Sequence, residues 1–257
     1  MDPARMPGHW LLARLGKRVL RPGGVELTRW MLEALRIGPA DQVVELAAGL
    51  GATARLTLTR APAGYTGVDR DPAAAAALTG LPRHSATEIR GCRADAAGTG
   101  LPDHAATVVY GEAMLTMQPE PAKHRIVQEA YRLLGDSGRY GIHELCLTPD
   151  DLDPALAAEI RTALSAAIHV GARPLTIAEW RRLLTGEGFT IIGQATAPMH
   201  LLRPRQLITD EGINGAIGTV GRVLRDAPAR RRVLRMRQVF HRYRRHLAAV
   251  SLVAVRA

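Results

Sequence analysis

Cysteines are few in this sequence, and long apolar runs are missing. Two cysteines in 257 residues, Cys92 and Cys146, exclude a disulfide scaffold and a cysteine-rich zinc module, and they favour a reducing compartment. No apolar run reaches the about 20 residues of a membrane span, and the first residues lack the apolar core of a signal peptide. No cluster of His, Asp, Glu and Cys indicates a metal site. The composition, 47% hydrophobic and 23% charged, is typical of a globular protein, which we expect in the cytoplasm.

Acidic residues are scarce in one segment only. Residues 222–246 contain ten arginines and a single acid, Asp226, and this segment carries nearly all of the formal net charge of +10. One apolar stripe at three- and four-residue steps runs through it: Val233, Met236, Phe240, Tyr243 and Leu247. The stripe predicts a helix packed on the core with a solvated arginine face. Binding of nucleic acid or acidic lipid through residues 222–246 stays an alternative, although aromatic residues for base stacking are few.

Strands and helices alternate along most of the chain. Short strands are predicted at 42–46, 65–68, 89–93, 106–110, 139–145, 189–195 and 248–255. Asp71 and Pro72 provide an N-cap and a first-position proline for the helix after the second strand. This alternation predicts an α/β fold with a doubly wound, parallel sheet.

Three helical additions are predicted around this core. Residues 1–24 form an N-terminal cap with a helix at 9–20, residues 147–176 form a cap insert, and residues 203–246 form the Arg-rich helical insert. The core then consists of residues 25–202 and 247–257.

The segment from Val43 to Gly51 carries the first chemical signal. It reads as a strand, an acid (Glu45) and a turn of small residues, including Ala47 and Gly49, that leads into a helix. Small residues allow a ligand to approach the backbone, and a helix N-terminus favours negative charge. The pattern is not the dinucleotide-binding G-x-G-x-x-G, because its first glycine is missing and an acid stands where a pyrophosphate would be repelled. An acid here suits a ligand that carries an ammonium group.

Two further acids follow the next strands. Asp69 ends the second predicted strand, and Asp95 ends the third. A carboxylate at such a strand end is the usual partner of ribose hydroxyls, and open α/β sheets bind ligands at this edge. The sequence therefore predicts a ligand site along the carboxyl ends of the first strands.

At this point the sequence resembles the class I S-adenosylmethionine-dependent methyltransferases, of the broad ubiquinone/menaquinone-biosynthesis type. The resemblance covers residues 23–145 and rests on Glu45 to Gly51, Gly67-Val68-Asp69, Ala94-Asp95-Ala96 with Leu101-Pro102, and the turn at 132–139. It implies a Rossmann-like, mostly parallel sheet of seven strands with an antiparallel last strand. It also implies S-adenosylmethionine as cofactor, with S-adenosylhomocysteine as product.

The resemblance assigns cofactor contacts to Gly23, Glu45, Ala47, Gly49, Asp69, Arg70, Asp95, Ala96, Glu112 and Met117. It implies that Glu45 lies near the methionine amine, that Asp69 holds the ribose and that Asp95 reads the adenine. Glu112 would face the methionine or the acceptor. Ala47 replaces a glycine of the family pattern, and its methyl is expected to fit if φ stays negative.

The acceptor side is less clearly marked. His143 ends the fifth predicted strand and is a candidate general base, with a satisfied core histidine as the alternative interpretation. Substrate contacts are predicted for Met114, Glu144 and His169. Sulfonium chemistry needs mainly positioning and water exclusion, so the additions around the core are expected to roof the acceptor.

The predicted activity is methyl transfer to a small-molecule nucleophile. Two alternatives stay open, an RNA or protein methyltransferase guided by the Arg-rich segment and a non-catalytic S-adenosylmethionine-binding protein. A homodimer also stays open. No Asn-Pro-Pro-Tyr or Asp-Pro-Pro-Tyr follows the fourth strand and no Pro-Cys occurs, which argues against methylation of DNA bases.

Overall fold

The structure is a computed structural model, and it describes residues 21–81, 87–199 and 226–257. The predicted helix at 9–20, most of the N-terminal cap and residues 203–225 of the Arg-rich insert lie outside the described residues. No helix in the described parts of the chain has the length and apolarity to cross a membrane.

Eight strands and seven α-helices make up the described chain. The strands are β1 (Gln42–Leu46), β2 (Gly64–Asp69), β3 (Glu88–Arg93), β4 (Ala106–Glu112), β5 (Leu134–Leu147), β6 (Leu175–Thr176), β7 (Phe189–Pro198) and β8 (Leu247–Arg256). The helices are α1 (Val25–Ala34), α2 (Ala52–Leu58), α3 (Pro72–Thr79), α4 (Glu120–Leu133), α5 (Pro154–Ile168), α6 (Ile177–Gly186) and α7 (Ala227–Arg242).

The sheet has the order β3-β2-β1-β4-β5-β8-β7, with the two-residue β6 beside β5. Neighbours from β3 to β5 are parallel, and β8 runs antiparallel to both β5 and β7. The Rossmann-like fold, with seven main strands and an antiparallel last strand, is therefore confirmed. Only the short β6 is absent from the prediction.

Local signals in the sequence place several helix starts. Asp71 accepts a hydrogen bond from the Ala73 amide at 2.8 Å, with Pro72 in the first turn, as predicted. Asp153 caps α5 in the same way. Thr176 and Glu179 form a reciprocal capping box at the start of α6. These caps satisfy backbone amides that a helix leaves without partners.

Apolar side chains cover the sheet on both faces. One cluster includes Trp180 and Phe189 with residues of α4 and β5, and the other includes Met31 and Leu32 of α1 with residues of β1, β2 and β4. Parallel strands that are covered on both faces place their ligand site at the carboxyl ends rather than on a face.

Helix α7 packs against α5 through part of the predicted stripe. Met236 and Tyr243 are buried, and Val233 and Phe240 are half-buried against Ala167 and Ile168. Leu247 belongs to β8 instead, because the helix ends at Arg242. Arg232 also lies on the buried side, so not every arginine of this segment faces solvent.

Candidate functional site

A cavity of about 510 Å³ lies at the carboxyl ends of β1, β2, β3 and β4. Ten of the predicted site residues line it: Glu45, Ala47, Gly49, Asp69, Arg70, Asp95, Ala96, Glu112, Met114 and Met117. Four do not: Gly23, His143, Glu144 and His169. The topology thus brings together residues that are up to 72 positions apart in the sequence, because parallel strands end at a common edge.

The loop between β1 and α2 is built on left-handed backbone conformations. Ala47 has φ 56°, Gly49 has φ 55° and Gly51 has φ 73°. The condition of a negative φ at Ala47 is not met, since this alanine adopts the conformation that glycine takes at no steric cost. A non-glycine residue in this region costs roughly 1–2 kcal/mol. The loop therefore tolerates some strain to keep its shape.

Asp69 ties this loop to the next one. One oxygen of its carboxylate accepts a hydrogen bond from the Gly49 amide at 2.9 Å, and the other accepts from the Asp71 amide at 2.9 Å. At the far end of the cavity, Asp95 accepts from the Ala97 amide at 2.8 Å and pairs loosely with the exposed Arg70 at 3.6 Å. Both carboxylates are thus fixed by backbone amides at the cavity wall.

Glu45 lies beneath the loop between two tyrosines. The hydroxyls of Tyr65 and Tyr110 donate to the same carboxyl oxygen at 2.5 and 2.8 Å, and the Tyr110 oxygen accepts from the Thr57 hydroxyl at 2.6 Å. Burial raises the pKa of Glu45 to about 8, although both tyrosine hydrogen bonds oppose the rise. The carboxyl is therefore mainly protonated at neutral pH, which does not favour the predicted position of Glu45 beside an ammonium group.

Glu112 is the most heavily partnered acid of the site. Its two oxygens accept from the hydroxyls of Thr28 and Thr53, from Arg21 at 3.4 Å and from the His143 ring at 2.7 Å. Burial opposes ionisation of Glu112, but the contacts with His143, Arg21 and Thr28 outweigh burial and lower its pKa to about 2. Glu112 is therefore an ionised carboxylate at the wall of the cavity.

His143 lies behind Glu112 and does not reach the cavity. It is fully buried, its Nδ1 faces the Glu112 carboxylate, and its Nε2 lies 2.5 Å from the backbone oxygen of Pro22. Both ring nitrogens are engaged, so the geometry leaves no nitrogen free to take a proton from an acceptor. The structure therefore does not support the assignment of His143 as a general base.

Glu144 holds a loop of the protein and does not reach the cavity, contrary to the predicted substrate contact. It is fully buried and accepts hydrogen bonds at 2.7–3.0 Å from the amides of Met114, Leu115 and Thr116 and from the Thr116 hydroxyl. Burial raises its pKa, and these four donors oppose the rise. Glu144 therefore fixes the loop that carries Met114 and Met117 to the cavity, without lining the cavity itself.

Gly23 and His169 are also displaced from the predicted positions. A Cβ at Gly23, which has φ 75°, would lie 2.8 Å from the methyls of Ala197 and Ala249, so this glycine is needed for close packing on β7 and β8. His169 is the exposed C-cap of α5, also in the left-handed region. Burial of part of the ring and the nearby Arg232 and Arg235 lower its pKa. Neither residue meets the cavity.

Arg21 and Thr53 line the cavity but were not singled out from the sequence. Arg21 is 5% exposed and donates to the Thr53 hydroxyl at 2.8 Å as well as to Glu112. Arg21 precedes a Pro-Gly-Gly turn, and no local pattern marks such an arginine as buried. Its partners are 32 and 91 residues away, so only the fold reveals the contact.

Comparisons with known proteins agree with this geometry. A family model described as a methyltransferase domain matches residues 43–138. An uncharacterized protein of Haemophilus influenzae is 32% identical over 247 residues, which span 95% of this chain and 96% of that protein. The MccD protein has a similar structure, with a TM-score of 0.68 and 17% identity over 93% of this chain and 100% of that chain. Geranyl diphosphate methyltransferase in complex with S-adenosylmethionine has a TM-score of 0.60 and 16% identity over 90% and 84% of the two chains.

Proposed function

Because this chain belongs to the class I S-adenosylmethionine-dependent methyltransferases, we propose that it methylates a small-molecule nucleophile by in-line displacement. The choice of a small-molecule acceptor rests on one observation, namely which elements of the fold supply the residues that line the cavity. The described wall residues come from the ends of β1, β2 and β4, from the loops after β1 to β4, and from α2, α3 and α4, together with Arg21. None comes from the Arg-rich helix α7. The arginines of α7 are thus absent from the described part of the wall where a nucleic acid would have to approach the methyl group.

The residues along the cavity favour one orientation of the cofactor. We place the ribose at Asp69, where two carboxylate oxygens can accept from hydroxyls, and the adenine at Asp95, Ala96 and Arg70. The charged amino-acid end then lies at the opposite wall, with Arg21 for the carboxylate and Glu112 for the ammonium group. A Cβ at Gly49 would meet no atom within 4 Å, which leaves open space beside the loop. The volume of about 510 Å³ also suits a ligand of this size.

The bound cofactor supplies an electrophilic methyl group on a sulfonium, which departs as a neutral thioether. The protein then has to hold the two reactants in line and exclude water. Met114 and Met117 are apolar cavity residues in the loop fixed by Glu144, and we propose that Met114 contacts the acceptor and Met117 the cofactor. Flexible methionines suit a pocket that adapts to its ligand.

Calorimetry tests the cofactor assignment. The protein should bind S-adenosylhomocysteine and should not bind NADH, because no pyrophosphate-binding glycine turn is present. Asp69→Ala should weaken binding of S-adenosylhomocysteine by at least about tenfold, since it removes charge-assisted hydrogen bonds. Asp136→Ala, at an exposed position outside the cavity, is the matched control and should bind as wild type does. Tight NADH binding without S-adenosylhomocysteine binding would refute the assignment.

Methyl transfer from labelled S-adenosylmethionine tests the acceptor class. We expect label in members of a small-molecule panel and none in bulk RNA or protein. Transfer to RNA alone would favour a nucleic-acid methyltransferase, and cofactor binding without transfer to any acceptor would favour a binding protein.

The buried Cys146 and half-buried Cys92 are both free thiols, which supports the proposal that the enzyme works in the cytoplasm.

A further inference from the structure

We propose that His143 is a positioning residue whose buried ring holds Glu112 and the Arg21–Pro22 backbone at the amino-acid end of the cofactor cavity. This inference rests on the proposed function, because that function places the amino-acid end of the cofactor beside Glu112 and Arg21. It replaces the role of general base, for which the ring has no free nitrogen.

The strand register brings His143 to this position. On the parallel pair β4 and β5, His143 lies opposite Glu112, and on the antiparallel pair β5 and β8 it lies opposite Ser251. The imidazole is fully buried among these strands. It spans from Glu112, at 2.7 Å, to the carbonyl of Pro22, at 2.5 Å. One ring therefore connects the end of β4 with the chain segment that leads into α1.

Both ring nitrogens have polar partners from other elements of the fold. Nε2 faces the Pro22 carbonyl, which can only accept a hydrogen bond, and Nδ1 faces the Glu112 carboxylate, with the Thr28 hydroxyl at 3.3 Å. Loss of the ring would leave these buried polar groups without one of their partners, which is costly. His143 and Arg21 therefore both hold Glu112 in place.

His143 can influence cofactor binding through its contact with Glu112, although the ring itself does not line the cavity. His143 and Thr28 hold one carboxylate oxygen of Glu112, while Thr53 and Arg21 hold the other. Glu112 and Arg21 both line the cavity, whereas His143 does not. Loss of the ring would free one side of the carboxylate and release the Pro22 carbonyl next to Arg21. The cofactor would then meet two charged groups that are no longer fixed.

Calorimetry with S-adenosylhomocysteine tests the inference without knowledge of the acceptor. His143→Ala should raise the dissociation constant by at least about tenfold, the loss expected for a buried charge-assisted hydrogen bond. His143→Asn keeps a donor near the position of Nδ1 and should bind within about threefold of wild type, whereas His143→Gln, whose donor lies nearer to Nε2, should not recover affinity. Ser251→Ala is the matched control for stability. This buried hydroxyl donates to the Ile142 carbonyl at 2.9 Å, so its loss should lower the melting temperature and leave the dissociation constant unchanged.

A double mutant tests whether the effect passes through Glu112. Glu112→Gln and His143→Ala should be non-additive, with the double variant binding no more weakly than the weaker single variant. Additive losses, or equal affinity of His143→Ala and wild type alongside a lower melting temperature, would overturn the positioning role. Failure of the wild-type protein to bind S-adenosylhomocysteine would instead overturn the proposed function, so the two failures are distinguishable.

Discussion

Charged residues in the cavity region and on helix α7 have opposite environments. At the cavity, Arg21 is buried and the Glu112 side chain is only 9% exposed, and each has a hydrogen-bond partner from another element of the fold. On α7, Arg231, Arg235 and Arg237 are exposed, while Met236 on the opposite face is buried. The helix is held by its buried side, which includes Arg232, and these three arginines face solvent.

The comparison shows that net charge is a poor guide to where charge matters in this protein. The segment with the largest charge excess contributes no described residue to the cavity wall. At the amino-acid end of the site the wall instead consists of Glu45, Glu112 and Arg21, and the buried His143 lies behind Glu112. A buried charge depends strongly on its partner, whereas an exposed charge contributes little by itself. Mutation of the two regions should therefore give effects of very different size.

The largest expected effect is on the stability of a Glu112→Ala variant. Removing this carboxylate leaves the buried Arg21 and His143 without their common anion, which costs about 3–5 kcal/mol of unfolding free energy. Chemical denaturation measures the loss. Glu88→Ala, where the carboxylate is 67% exposed, is the control and should change stability by less than about 0.5 kcal/mol. Equal effects of the two substitutions would remove the contrast between the regions.

A pH-dependent loss of stability is expected from Glu45. The pKa of about 8 in the folded protein lies above the ordinary glutamate value of 4.5, so the folded state binds more protons than the unfolded state between these values. Stability should therefore fall as the pH rises from about 5 to 8, by about 3–4 kcal/mol if this group acts alone. Glu45→Gln mimics the protonated carboxyl and should lose this slope. Parallel pH profiles for wild type and the variant would show that Glu45 is ionised in the folded state.

The next largest effect is a loss of stability when the packing of α7 against the α5 region is weakened. Met236→Ala should lower the unfolding free energy by about 2 kcal/mol, because it removes a buried side chain that contacts the α5 region. Leu234→Ala is the matched control, since this leucine on the same helix is 49% exposed. A melting temperature of the Met236 variant equal to that of the control would mean that α7 is not anchored by its stripe.

The smallest effect is expected for the exposed arginines. A triple variant with Arg231, Arg235 and Arg237 changed to Gln should keep its unfolding free energy within about 0.5 kcal/mol. It should also keep its affinity for S-adenosylhomocysteine, because these residues lie outside the cavity. Salt-dependent RNA binding that is present in wild type and lost in the variant, together with loss of methyl transfer, would move the acceptor from a small molecule to RNA.

The fold and one side of the site could be predicted from the sequence because their signals are local. Strand–helix alternation, the cap at Asp71 and the small-residue loop are each written within a few residues. Asp69 and Asp95 follow predicted strands, and parallel strands place such residues at a common edge. Asp69 and Asp95 could therefore be assigned to the cavity without knowing their hydrogen-bond partners.

The tertiary structure alone decided the other side of the site. His143 and Glu144 are neighbours in the sequence, and both were predicted at the site, but successive side chains of a strand point to opposite faces. One therefore reaches Glu112 and Pro22, and the other fixes the loop at 114–116. In the same way, Glu45 is kept protonated by burial beside tyrosines 20 and 65 residues away, and Arg21 contacts Glu112 across 91 residues. Protonation and hydrogen-bond partners depend on which distant side chains share a buried space, and folding creates that space.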